Sequence, residues 1–332
     1  MISQRRIFWR FLLRRLGHAL MVLLAISALA FLLADLAPGD PFAAERLDPR
    51  LSRETVETWR ARAGLDDPLA ARYGRWLGGV LRGDWGFSLG YRRPVAELIG
   101  PRLAATLGLT ATATAASWAF ALTLGAAAAR KPGGLIDRAV LVGASLVQAL
   151  PELLLALLAA ALAARLGLPM GGGVASLDAG DLDFWPRVMD RARHAALPVA
   201  VLALAALPAL THHVRAAVLD ALASPAVLAA RARGIGGWRL ECGYVLLLAA
   251  NPLISLFGVS FGGLISASLA VEVVLGWPGL GPLMLQAVLS RDLHVVVAGT
   301  LLAAAFLLAG NLLADLALHR LDPRMAAGEG ER

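Results

Sequence analysis

The stretch SPAVLAARARGIGGWRLECGYVLLLAANP, Ser224 to Pro252, is a polar, arginine-bearing interlude between two long apolar blocks. Ser224 followed by Pro225 is a helix-start signal: the hydroxyl caps an orphan N–H, and proline in the first turn gives up a donor that has no partner there anyway. Gly234 is the matching stop, because glycine takes the left-handed conformation that closes a helix. The helix between them is roughly nine residues, too short to hold its shape alone in water, so it has to dock on something.

Outward from this stretch the composition is far from that of a soluble domain. Of 332 residues, 58% are hydrophobic and 17% are charged, against about 25% charged in soluble proteins. The chain is therefore read as a membrane protein. Its net charge of +7 comes almost wholly from arginine, Lys131 being the sole lysine. Those arginines stand at the ends of apolar runs, where they act as topology signals rather than as a phosphate-binding patch, which argues against a nucleic-acid partner. A single cysteine, Cys242, excludes an intrachain disulfide framework.

Residues 1–15 are basic, with Arg5, Arg6, Arg10, Arg14 and Arg15, and predict a cytoplasmic N-terminus ahead of a first span at 16–37. That apolar run exceeds the about 7–15 residues of a signal-peptide core, and no A-x-A-like site closes it. Residues 38–102 form a long, mixed-charge extracytoplasmic loop, beyond the length at which arginines bias topology. A second span at 103–129 ends on the basic turn Arg130-Lys131-Pro132-Gly133-Gly134, followed by a third at 139–164, an outer loop at 166–194 and a fourth span at 195–214. The polar stretch occupies 215–250 on the cytoplasmic side, the fifth span is 251–275, and 276–294 is an extracytoplasmic turn rich in glycine and proline. A sixth span at 295–317 returns the tail, 318–332, to the cytoplasm. The predicted fold is an all-α integral membrane protein with six transmembrane helices, a short cytoplasmic helix between the fourth and fifth, and both termini cytoplasmic.

Several constellations could carry chemistry. Gly86-Phe87-Ser88-Leu89-Gly90 matches the GxSxG nucleophile elbow, but no core strand of a hydrolase sheet surrounds it, so it reads as a glycine-flanked loop. His212 and His213 are adjacent on a helix and point about 100° apart, with no further His or Cys at ligand spacing. Glu152 and Glu272 lie at membrane depth, where an ionisable group is expensive unless it is paired or used. Glu152 is expected to face a translocation path and meet a cationic part of a substrate. For Glu272, beside the Gly/Pro turn, the reading leans towards an interhelical hydrogen bond. Gly258 and Gly262 have the spacing that lets two helices approach closely.

Four motifs in order then carry a resemblance. Leu36-Ala37-Pro38-Gly39-Asp40-Pro41 looks like LAPGDP. Leu77 to Asp84 with Arg93-Pro94-Val95 resembles a loop motif, Leu275-Gly276-Trp277-Pro278-Gly279-Leu280-Gly281 resembles FGWPGLG, and Leu321-Asp322-Pro323-Arg324 matches an ending. Together they resemble, over nearly the full length, the inner-membrane permease subunits of bacterial ABC importers for dipeptides, oligopeptides and nickel. The opening stretch resembles that family's cytoplasmic coupling loop. Ala230, Arg231, Ala232 and Gly234 fit its pattern, while Ser224, Pro225, Ala226 and Leu228 replace its acids, Tyr and Arg.

The resemblance implies alternating access driven by partners: a second homologous permease subunit, two cytoplasmic ATPase subunits that hold ATP and Mg²⁺, and an extracytoplasmic substrate-binding protein, all at a lipid bilayer. It implies that Ala229, Ala230, Arg231, Arg233, Gly234 and Ile235 couple to the ATPase, with Trp277, Pro278, Gly279 and Gly281 forming an outer-turn motif. The sequence holds no GxxxxGK[ST] phosphate loop, so no cofactor is expected on this chain and no enzymatic role. Peptide is favoured over nickel because the histidines do not cluster. An ion-coupled secondary transporter is the other class considered; it would leave the capped helix without a task.

Overall fold

The computed structural model of the chain describes residues 2–36, 46, 52–54, 57–58, 67–168 and 183–321. Helix α1 spans Ile2–Leu36, and α2, Leu69–Val80, folds back against its far end. There Arg72 donates to Asp35 at 2.5 Å, and Phe31 and Trp76 are buried together with Val297. A two-stranded antiparallel hairpin follows, β1 Phe87–Ser88 and β2 Arg93–Pro94. Next come α3 Val95–Arg130, α4 Leu135–Gln148, α5 Glu152–Leu166, α6 Phe184–Ala223, α7 Pro225–Ala232 and α8 Gly237–Leu240. A single π turn, Glu241–Val245, leads into α9 Leu246–Leu275, and α10 Leu280–Leu289 and α11 Leu293–Leu321 complete the chain.

Among the described residues, five stretches are long and apolar enough to cross a bilayer: Trp9–Leu36, Val95–Arg130, Phe184–Ala223, Gly237–Leu275 and Leu293–His319. The expected third span, 139–164, is where the structure differs. It consists of α4 and α5, bent by 92° at a short break. Pro151 explains the break: it offers no N–H to the carbonyl of Val147, and its φ of −56° with ψ 140° starts a new helix instead. Pro101, Pro198, Pro208 and Pro252, in contrast, sit inside continuous helices.

Other boundaries move as well: the first stretch reaches back to Trp9, and the fifth to Gly237, within the segment 215–250 expected as a loop. The second span begins at Val95 within the expected outer loop, the fourth is extended at both ends to Phe184 and Ala223, and the turn at 276–294 contains α10. Most of the 37–66 segment and all of 169–182, with the 37–41 part of the first motif and the 322–324 ending, lie outside the described residues.

The bundle is held without a hydrophobic driving force between lipid-exposed helices, so close packing has to do the work. Helix α3 runs along α6, α6 along α9, α9 along α11, and α11 against α1. The α9–α11 contact uses Gly258 and Gly262: a Cβ on Gly258 would lie 2.9 Å from the Gly310 carbonyl oxygen, and one on Gly262 would collide with Leu307. An ion pair of Arg15 with Asp315 at 2.9 Å joins the early part of α1 to the late part of α11. Since Gly258 faces Gly310 and Gly262 faces Leu307, α11 runs antiparallel to α9, and its late part lies at the end where α9 begins, next to α7.

Candidate functional site

At that end, α7 is capped as its sequence dictates. The Ser224 hydroxyl accepts the Val227 N–H at 3.4 Å and Pro225 fills the first helical position. At the other end Gly234 has φ +82°, its N–H donates to the Arg231 carbonyl at 2.9 Å, and the Ile235 N–H donates to the Ala230 carbonyl at 3.1 Å. These two bonds are the paired closure of a left-handed helix stop. The helix docks on its own chain: Val227 and Ala230 are buried among Val214, Ala217, Val218, Ala221, Leu240 and Val245, with Ile235 packed against them.

This docking divides the six residues expected to meet an ATPase. Ala229, Arg231, Arg233 and Gly234 are exposed, whereas Ala230 is buried and Ile235 half-buried. The last two hold α7 to the bundle, because a helix with one apolar stripe turns that stripe inward. The exposed surface also includes Leu228 and Trp238, the latter 75% exposed.

At the opposite end, the Trp277–Gly281 motif wraps one carboxylate. Glu272 is fully buried on α9 and accepts the Gly281 N–H at 2.7 Å, while a Cβ on Gly279 would overlap its carboxyl group. The neighbouring Leu280 N–H donates to the Thr106 hydroxyl at 2.8 Å. Two orphan donors of the first turn of α10 are thus satisfied by side chains from α9 and α3. The Trp277 indole N–H donates to the Ala105 carbonyl at 3.3 Å, and Gly276, at φ +66°, turns the chain out of α9. Pro278 follows in that turn. The Glu272 carboxylate thus bridges α9 to the first turn of α10.

Glu152 opens α5 directly after the bend; its Oε1, like the Oε1 of Glu272, is buried without a hydrogen-bond partner. Ser88, the centre of the GxSxG match, is fully buried; it donates to Asp292 at 2.5 Å and accepts the Tyr91 N–H at 3.0 Å. No imidazole stands between Ser88 and its carboxylate, so the pair ties the hairpin to the α10–α11 corner and is no nucleophile elbow. Among the described residues, no group of three or more His, Cys, Asp or Glu could hold a metal.

Comparison with known proteins covers most of the chain. Residues 121–327 match the family described as binding-protein-dependent transport system inner membrane component, and residues 8–110 match its N-terminal companion. The chain belongs to this family. The oligopeptide transport system permease protein AppB of Bacillus subtilis (strain 168) is 33% identical to this inner-membrane component over 317 residues, covering 95% of this chain and 98% of AppB. The oligopeptide transport system permease protein OppB of Mycobacterium bovis is 31% identical over 323 residues, again 95% and 98% of the two chains. In fold, the component is similar to an amino acid ABC transporter crystallised with histidines, with TM-score 0.53, 18% identity, and coverage of 68% of this chain and 94% of that one. It is also similar to the inward-facing MetNI methionine ABC transporter, with TM-score 0.51, 16% identity, and coverage of 68% and 96%.

Three parts of this inner-membrane component escaped the sequence reading. Asp292 carries no motif, yet its carboxylate takes the Ser88 hydroxyl and, at 3.1 Å, the Gly90 N–H. Asp137 accepts Arg215 through both carboxylate oxygens, at 2.6 and 2.8 Å. Arg130 meets Glu241 at 2.7 Å. Their partners lie 78 to 204 residues away in sequence, beyond any local pattern.

Proposed function

We propose that this inner-membrane component is the membrane-spanning permease subunit of an ATP-driven peptide importer, lining half of the translocation path. The observation that carries the reading is the near end-to-end match to oligopeptide permeases, at 95% of this chain and 98% of theirs. A capped, docked eight-residue helix between two spans supports it, since a short helix transmits a rigid-body shift only when both of its ends are fixed.

In this reading α7 is the lever, presenting Ala229, Arg231, Arg233 and Gly234, with Leu228 and Trp238, to an ATPase subunit. Ala230 and Ile235 are the inward anchor of that lever. ATP and Mg²⁺ reside in the two ATPase subunits, a second permease subunit completes the path, and a binding protein delivers substrate at the hairpin end. The end carrying α7 and both termini faces the cytoplasm, consistent with the arginines that flank the spans. Glu152 lines the path, and Glu272 with Trp277, Pro278, Gly279 and Gly281 shapes its outer rim.

The test is uptake in a strain lacking this subunit. Labelled dipeptides and oligopeptides are expected to enter only when the subunit is restored together with functional ATPase partners. Restored uptake of Ni²⁺ with no effect on peptides would replace the substrate, and uptake that continues without the ATPase subunits would overturn the mechanism.

A further inference from the structure

The turn between α3 and α4 is attached to the chain on both sides of α7. Ahead of α7, Arg215 on α6 donates Nε and Nη2 to the two oxygens of Asp137 at 2.6 and 2.8 Å. The Asp137 side chain is 2% exposed and also takes the Gly133 N–H at 2.7 Å. After α7, Glu241 at the start of the π turn accepts Nη2 of Arg130, the last residue of α3, at 2.7 Å. Here the side chains are 63% and 39% exposed.

The two attachments are chemically unequal. A planar, bidentate pair shielded from water holds one geometry, and losing either partner strands a buried charge. A single water-exposed ion pair contributes little and exchanges readily with solvent. The turn they share leads into α4, which ends at the 92° bend directly before Glu152. Any displacement of the turn is therefore carried along α4 towards that bend.

We infer that the α3–α4 turn is a second transmission element, with Asp137–Arg215 as its fixed pivot and Arg130–Glu241 as an exchangeable latch that reports the position of α7. Arg130 and Glu241 are positioning residues: they act on transport through α7 and α4. The inference rests on the reading of α7 as the lever of an ATP-driven importer.

The experiment uses the full complex in liposomes, with its ATPase subunits, second permease and binding protein, and reads the ratio of ATP hydrolysis with and without the binding protein. Glu241→Arg is expected to lower that ratio by about threefold to fivefold at normal complex assembly. The double exchange R130E/E241R is expected to restore it, which a merely structural disturbance would not do. A wild-type ratio in Glu241→Arg, or a double exchange as low as the single one, overturns the latch. Should Glu241→Arg fail to assemble, Glu241→Gln is expected to lower the ratio by about twofold, and its full retention overturns the inference equally. A wild-type complex with no stimulated hydrolysis would instead overturn the importer reading.

Discussion

The Glu272 carboxylate accepts the backbone N–H of Gly281 at 2.7 Å, closing the glycine-rich turn back onto the helix that precedes it. Removing the carboxylate leaves that N–H buried and unpaired, whereas glutamine keeps a carbonyl oxygen in place. Glu272→Ala is expected to destabilise the subunit by about 2–3 kcal/mol, seen as a lower thermal midpoint in detergent. Glu272→Gln should remain close to wild type in both stability and uptake per molecule; a selective loss of uptake in that variant would assign Glu272 to the path.

The α9–α11 seam gives a paired comparison. Gly262→Ala drives a methyl group into Leu307, while Gly263, its neighbour, faces open space. The first substitution should cost about 1–3 kcal/mol through overpacking, and the second should stay within about 1 kcal/mol of wild type. Thermal melting of the two purified variants decides it, and equal midpoints would remove the seam from the account.

Gly234 stands at φ +82° with nothing within 4 Å of where its Cβ would be, so only its backbone conformation resists substitution. Valine there is expected to cost about 1–3 kcal/mol, unravelling the C-terminal closure of α7 while leaving the buried bundle intact. Membrane levels should hold and transport should uncouple from ATP hydrolysis. Asparagine, which tolerates the left-handed region, should be milder, and normal uptake with normally stimulated hydrolysis in Gly234→Val would contradict the lever.

Glu152 presents a buried acceptor oxygen without a protein partner. In a peptide path this is a place for a cationic group. Glu152→Gln should reduce the preference for a lysine-containing tripeptide over trialanine by about tenfold, the worth of a hydrogen bond to a charged group. Competition uptake measures this, and unchanged selectivity would leave the carboxylate without a role in the path.

Much of the fold was legible because membrane insertion writes itself into composition. Apolar runs bounded by arginines located the long helices, and Ser224, Pro225 and Gly234 marked α7 through purely local capping chemistry. The α4–α5 bend was not legible, although Pro151 was in plain view, because Pro101, Pro198, Pro208 and Pro252 have the same chemistry and leave their helices continuous. Whether a proline breaks a helix depends on neighbours that can support the freed carbonyl. The ties Ser88–Asp292, Arg130–Glu241 and Asp137–Arg215 were hidden for a different reason: each joins residues whose separation carries no period, so only the packed bundle brings them together. The inward anchoring of Ala230 and Ile235 needed the same knowledge of what lies beneath α7.

The π turn at Glu241–Val245 has a consequence for how this chain tolerates change in length. Such a turn accommodates one residue more than an α-helix needs, absorbing it locally. Deleting one residue within it should regularise the helix and leave everything downstream facing as before. The same deletion placed further along α9, ahead of Gly258, would rotate the following surface by about 100°, turning the glycine seam away from α11. Between α8 and α9 the chain therefore holds spare length, and beyond that point it holds none.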